Sequence, residues 1–469
     1  MKNKFISNLL ISGGASYISR GLLFLSSMIT ARLLTPEDFG IVALVTVFTG
    51  FLNIFSDSGI SIAVIRSEYG NLYHRGLSTL LIYLGLTLMV LTFLISYPIS
   101  IFYNKFELVF IAPFIGVMFL TNSMSGLASA VLNKQSKFKV LGLFEVISTV
   151  LSIVLIILFA WSGFKYWSII LPQLLISIIR IITFNYYANF NLRLLSWKYV
   201  RVSFEKTKNL IGHISGFNLV NYWSRNFDNL IVGKIYGADS LGIYGKAYGM
   251  LMLPISIVNG AINKVAFPTM VTMMRKGDGI NSFYFTIMNV IFLISTLIGI
   301  PLILFPKSIV IFLWGNQWLR VSDILPYFGV LVLTQLVISF SGNIILIKKK
   351  DKQYMYFGWI TGVFIITGIY VGSLFSFEAI PLTYAIAFLI GPLSYNAFYV
   401  HIKHLGFSVK EMIKLWMPMI IVSYLFITCI YFKYDFFIKL IISVILILYS
   451  FFKNRNLFLL TLNYLKSKN

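Results

Sequence analysis

Long apolar stretches recur from one end of the chain to the other, each about 17 to 25 residues, and short loops carrying Lys and Arg separate them. Segments such as 41–63 and 440–452 hold almost no ionisable group. At roughly 1.5 Å rise per residue, a helix of that length matches a hydrocarbon core about 30 Å thick. The pattern predicts an all-α polytopic membrane protein of about 14 transmembrane helices. They fall near 7–32, 39–65, 77–97, 108–132, 140–161, 166–188, 209–235, 240–263, 284–305, 324–347, 354–375, 380–400, 412–432 and 436–452. The last is short and bounded by Asp435 and Lys439, and 307–320 is where a re-entrant piece would fit. An even count puts both termini on one side.

Composition agrees: 58% of the 469 residues are apolar and only 11% charged. The net charge of +23 gains its meaning from where the cations lie. One set of loops takes about twenty-five Lys and Arg, including Lys134, Lys137, Lys139, Lys198, Arg201 and Lys348 to Lys350, while the other takes about five, Lys105, Lys165, Lys307, Arg320 and Lys433. Anionic lipid and the membrane potential hold cations on the cytoplasmic face, so both termini are expected there. No loop is long enough to build a basic folded domain, which argues against nucleic acid as a partner and for membrane lipids. The first apolar run is too long for a signal peptide and lacks a small-x-small cleavage site, so it reads as a retained helix. The single cysteine, Cys429, excludes an intramolecular disulfide and a cysteine metal site.

An internal echo divides the chain. Ala31-Arg-Leu-Leu-Thr-Pro-Glu-Asp-Phe-Gly-Ile-Val42 aligns with Gly233-Lys-Ile-Tyr-Gly-Ala-Asp-Ser-Leu-Gly-Ile-Tyr244 at a constant offset, with small, basic, acidic and glycine positions coinciding. It points to two six-helix lobes related by a parallel repeat, 1–188 and 209–400, joined by a basic cytoplasmic linker at 189–208 and followed by two further helices and a tail, 401–469. Within the first copy, Thr35 reads as the N-cap of the second helix, Pro36 as its first residue, and Asp38 as the partner closing a capping box.

Polar residues recur inside the spans at helical spacing, which gives each helix one wet face. The first helix carries Asn8, Ser12, Ser16, Ser19 and Arg20; the second Thr46, Thr49, Asn53 and Asp57; the fourth Asn122, Ser125, Ser129 and Asn133. The seventh carries Asn218, Asn221, Arg225, Asp228 and Asn229, and the eighth Tyr244, Tyr248, Ser256, Asn259 and Asn263. Small polar groups can serve helix packing alone, at about 0.6 to 2 kcal/mol per interhelical hydrogen bond. Stripes in corresponding positions of both halves point instead to a shared hydrophilic cavity. Arg20 and Arg225 lie deep in their helices, where a guanidinium costs about 2.5 to 3.5 kcal/mol unless it meets water, a counter-ion or an anionic substrate. Arginine suits phosphate and diphosphate by planar bidentate hydrogen bonding. Asp57 and Asp228 either balance these charges or bind a coupling proton or cation. Arg180 is near enough to the cytoplasmic end to snorkel.

Several of these residues carry a family resemblance. Ala31 to Gly40, Val45-Thr-Val-Phe-Thr-Gly-Phe-Leu-Asn-Ile-Phe-Ser-Asp-Ser-Gly59, Ser224-Arg-Asn-Phe-Asp-Asn-Leu-Ile-Val-Gly-Lys-Ile-Tyr-Gly237, Leu241-Gly-Ile-Tyr-Gly-Lys-Ala-Tyr248 and Lys264-Val-Ala-Phe-Pro268 resemble polysaccharide exporters of the multidrug/oligosaccharidyl-lipid/polysaccharide (MOP) superfamily. The likeness is to the O-antigen and capsule flippases of Wzx type and to the colanic-acid and teichuronic-acid exporters. It implies a MATE-like fold in a bacterial inner or plasma membrane. It further implies a flippase that moves undecaprenyl-diphosphate-linked oligosaccharide to the outer leaflet by alternating access, with no cofactor and a proton or sodium gradient as driving force. Arg20 and Arg225 match the cationic cavity positions; no family motif marks Asp57 or Asp228, which are ion-coupling candidates from their place in the spans, and Asn53, Asn218, Asn221 and Tyr248 are expected against the sugars. Family analogy adds the polysaccharide polymerase of the same pathway as a partner.

Other classes fit less well. A nucleotide-driven pump would need a phosphate-binding loop of the G-x-x-x-x-G-K-[ST] type, which the sequence lacks. A drug/cation antiporter of the same superfamily would favour an acidic cavity. A membrane glycan polymerase or ligase would place catalytic acids or arginines in a large external loop, yet 306–323 carries only Lys307, Arg320 and Asp323. The reading is therefore of a transporter and not an enzyme.

Overall fold

The computed structural model describes residues 2–57, 59–66, 70–190 and 194–466, without the side chains of 2–13, 57, 66, 71, 209–210, 212–221, 224, 261, 263 and 456–466. The order is α1 (Lys2–Leu33), α2 (Pro36–Asp57), α3 (Ile60–Arg66), α4 (Asn71–Tyr103), α5 (Leu108–Lys134), α6 (Phe138–Trp161), α7 (Trp167–Ala188) and α8 (Trp197–Glu205). Then follow α9 (Lys208–Lys276), α10 (Asn281–Leu304), α11 (Pro306–Trp314), α12 (Val321–Ile347), α13 (Asp351–Ser373), α14 (Ala379–Phe388), α15 (Val409–Tyr431) and α16 (Phe436–Lys466). Among the described residues, twelve stretches are long and apolar enough to cross a membrane, and each coincides with an expected span. The other two expected spans, 7–32 and 209–235, run through side chains outside the description.

The chain forms two compact units, Met1–Gly242 and Ile243–Asn469. In the first, Ile60, Leu77, Leu81, Leu127, Leu132 and Phe184 pack into a core drawn from α3, α4, α5 and α7. Helix α6 lies at the periphery, with Leu143, Ile147, Val150, Val154 and Leu158 exposed along one stripe, as a lipid-facing helix requires. In the second unit, α12 is buried on nearly every side, which explains why its sequence is apolar all round.

The structure adds detail to the sequence pattern at four places. The expected helices 209–235 and 240–263 are the two parts of α9, which meet at a kink where Gly237, with φ of 80° and ψ of −176°, lies outside the helical region and favours glycine. The linker at 189–208 contains the short helix α8. Residues 307–320 form α11 followed by a single tight turn at Asn316–Trp318. Beyond α14 the chain keeps turning in wider, i to i+5 windings at Leu389–Leu393 and Tyr395–His404.

Candidate substrate-translocation site

The two copies of the echo meet inside the first unit. Helix α2 starts as its sequence predicts: the Thr35 amide donates to Asp38 Oδ2 at 3.0 Å, and Thr35 Oγ1 accepts from the Asp38 amide at 3.3 Å. Gly40, one turn further, lies so close to Ala238 that a Cβ there would overlap the Ala238 carbonyl oxygen. Gly242 stands in the same relation to the carbonyl of Pro36. In the alignment Pro36 pairs with Ala238 and Gly40 with Gly242, so the two contacts exchange under the repeat, as expected of a pseudo-two-fold junction. Charged residues brace it. Lys105 Nζ reaches Glu37 Oε1 at 2.5 Å, and this hydrogen bond holds the Lys105 ammonium above its ordinary pKa. Lys234 donates to the Phe102 carbonyl and lies 4.6 Å from the Phe102 ring centroid.

The polar stripes of the first unit occupy contrasting environments. Arg20 and Arg225 are both exposed, as is Asn53, which accepts from Ser56 Oγ at 2.8 Å. Asp228, one turn beyond Arg225, is only 3% exposed, and its Oδ1 accepts from the Asn229 amide at 2.8 Å. Between them and α2, Tyr222 donates to the Val47 carbonyl at 2.6 Å over Gly50, so α9 and α2 are joined along their lengths as well as at the glycine junction. Arg180 is half-buried, bonded to Asn122 Oδ1 at 3.2 Å and 5.8 Å from the Phe144 ring, a packing role that replaces simple snorkelling. In the second unit Tyr248 is half-buried, stacked on Tyr244 at 6.0 Å and edge-on to Phe328. Asn218, Asn221 and Asp57 lie outside the described side chains.

Three further polar sites were not singled out by the sequence pattern. Glu145, within the lipid-facing α6, accepts from Ser16 Oγ at 3.1 Å, one turn of α1 before Arg20. Lys246 lies 5.6 and 5.0 Å from the ring centroids of Trp314 and Trp318. His401 is fully buried, with Nδ1 2.6 Å from the Asn396 carbonyl and Nε2 2.7 Å from the Tyr284 hydroxyl. A carbonyl can only accept, so the proton sits on Nδ1 and Nε2 accepts from Tyr284. A lone charge within an apolar run is the signal that could have found Glu145 and Lys246. Among the described residues no three His, Cys, Asp or Glu are grouped to hold a metal ion.

Twelve stretches among the described residues long and apolar enough to cross a membrane, with charged and polar side chains set among them, define a polytopic α-helical membrane protein. The chain belongs to the polysaccharide biosynthesis protein family, which it matches over residues 29–323. The teichuronic acid biosynthesis protein TuaB of Bacillus subtilis is 26% identical over 328 residues, 68% of this chain and 66% of that protein, just under two thirds of its length. The lipopolysaccharide biosynthesis protein WzxC of Escherichia coli is 22% identical over 422 residues, 89% of this chain and 85% of its own. The fold is shared with the lipid II flippase MurJ in an inward closed conformation, with a TM-score of 0.71 at 16% identity over 96% of this chain and 100% of that one.

Proposed function

We propose that the protein is a flippase for undecaprenyl-diphosphate-linked oligosaccharide, carrying the glycan head group from the cytoplasmic to the outer leaflet while the lipid tail stays in the bilayer. The observation that carries this reading is the exposure of Arg20 and Arg225, two guanidiniums that the apolar pattern of the sequence sets inside membrane helices. Lipid cannot solvate a guanidinium there, so the exposed faces line a path open to water and to an anion. Membership of a polysaccharide biosynthesis family supports a glycan cargo, and a lipid-linked glycan carried as its diphosphate is an anion for which two guanidiniums are suited. Relatives named for teichuronic acid and lipopolysaccharide biosynthesis support a glycan cargo.

In this mechanism the diphosphate is drawn to Arg20 and Arg225, the sugars rest against Asn53, Asn218, Asn221 and Tyr248, and Asp57 or Asp228 takes up a proton or sodium ion to reset the cycle. The lobes 1–188 and 209–400 alternate, with both termini and the 189–208 linker on the cytoplasmic side of a bacterial inner or plasma membrane. The Gly40 and Gly242 junction joins the two repeats at the start of α2 and beside the Gly237 break of α9, and in this mechanism it is the contact that parts when the transporter opens outward. The polysaccharide polymerase of the same pathway is the expected recipient of the product.

Leaflet exchange in liposomes tests this. With a matched undecaprenyl-diphosphate oligosaccharide and an imposed proton or sodium gradient, wild type exchanges the lipid, Arg20→Ala does not, and Arg20→Lys keeps part of the rate. Absence of exchange by folded wild type overturns the reading in favour of a drug antiporter.

A further inference from the structure

Helix α8 has an unusual surface for a segment between two membrane spans. One stripe is buried: Val200 and Ser203 of the helix, continued by Thr207. It clamps α8 onto the first turns of α4. Ser203 Oγ donates to the Tyr73 carbonyl at 3.3 Å, and the Leu195 amide donates to Thr79 Oγ1 at 3.1 Å. At Gly76 a Cβ would meet the Tyr199 carbonyl at 3.1 Å, so the two helix backbones lie close. The depth of α8 follows from these contacts, because it lies against the first three turns of α4, whose residues 72–103 are long and apolar enough to cross a membrane. Trp197 adds a ring contact to Tyr83 at 6.2 Å, further along the same span.

At 3.6 residues per turn, Lys198, Arg201 and Glu205 form a second stripe opposite the buried one, and Lys208, the first residue of α9, adjoins it through its bond to Glu205. Lys198, Arg201, Lys206 and Lys208 are all exposed, and the one acid, Glu205, is bonded to Lys208 at 2.5 Å. Flanking the cations on either side stand Trp197 and Phe204, and Tyr199 and Val202, all exposed, Trp197 to 64%. Water alone is a poor neighbour for that much aromatic and branched surface. An interface between headgroups and acyl chains satisfies both features, since amphipathic rings settle at headgroup depth and cations meet phosphodiesters.

We propose that α8 is a binding site for anionic phospholipid headgroups, with the Lys198, Arg201, Lys206 and Lys208 cations engaging the phosphodiesters and Trp197 and Phe204 seated among the upper acyl carbons. Charge complementarity selects the occupant: the patch carries four cations against one acid at the depth of the headgroups, and juxtamembrane clusters of this kind are held by anionic leaflets. The site depends neither on the glycan nor on transport, so it stands or falls apart from the flippase reading.

The test uses the full-length protein in nanodiscs of phosphatidylcholine containing graded phosphatidylglycerol, with retained lipid counted by native mass spectrometry after gentle release. Wild type retains phosphatidylglycerol in preference to phosphatidylcholine. The variant K198Q/R201Q/K206Q/K208Q loses that preference about tenfold or more, as expected when four cations near an anionic surface are removed. The variant K198R/K206R/K208R keeps it, which separates loss of charge from loss of fold. Brominated phosphatidylglycerol quenches a component of the tryptophan fluorescence that W197F lacks. Equal retention by the glutamine variant, equal retention of phosphatidylcholine, quenching unchanged by W197F, or capture of an acidic soluble protein in place of lipid would each overturn the proposal.

Discussion

Buried polar side chains in a lipid-surrounded bundle have nowhere to turn when a partner is removed. Tyr284→Phe leaves His401 Nε2 buried without its donor, and the expected cost is about 1–3 kcal/mol, read as a lower midpoint of thermal unfolding in detergent; an unchanged midpoint would show that the pair contributes nothing. The Lys105–Glu37 pair makes a pH prediction of definite sign. Because the folded-state pKa of Lys105 is raised, its contribution is complete below the ordinary lysine value of about 10.4 and fades as pH climbs through the folded value. Lys105→Gln therefore lowers the unfolding midpoint slightly at pH 7, and the gap to wild type closes above about pH 10.4. A gap that persists or widens there would assign the effect to packing. Arg20 and Arg225 are legible in sequence because a guanidinium deep in an apolar run has few bland explanations. His401 is not, since one histidine at the end of an apolar helix has no spacing partner, and its network with Tyr284 and Asn396 joins elements over a hundred residues apart in part.

Helix positions follow from hydropathy because lipid imposes length and composition together, and the described spans fall where the apolar runs lie. The break between the seventh and eighth helices was legible in Gly237 and the surrounding echo. The reciprocal contact of Gly40 and Gly242 was not, since alignment of two copies says that they are alike and nothing about whether they touch. Helix α8 escaped because nine residues with alternating aromatic and basic side chains resemble a linker until α4 supplies the surface they pack on. The wide windings after α14 carry only Pro392 as a cue. The junction yields a prediction at this scale. Gly40→Val and Gly242→Val each force a side chain into a backbone carbonyl, so closure is blocked and leaflet exchange falls about tenfold or more, equivalent to about 1.4 kcal/mol. Gly249→Ala, whose added methyl meets nothing within 4 Å, leaves exchange unchanged. Normal exchange by the valine variants would remove the junction from the cycle.

For the whole molecule, the asymmetry of Lys and Arg predicts an orientation that labelling can read. In a Cys429→Ser background, Lys165→Cys reacts with an impermeant maleimide added to intact cells, whereas Lys350→Cys reacts only after the membrane is opened; the reverse pattern would invert the topology. The central claim is that a lipid-linked glycan crosses because the contact between the two repeats opens and closes. Lys234, on α9, reaches the carbonyl of Phe102 at the end of α4, beside the glycine junction. The most direct measurement is leaflet exchange of undecaprenyl-diphosphate oligosaccharide by Phe102→Cys/Lys234→Cys in the Cys429→Ser background, bridged by a short, cleavable thiol crosslinker. Exchange is expected to fall to the protein-free rate when the bridge is in place and to return when it is cleaved. Exchange that continues through an intact bridge would contradict the account.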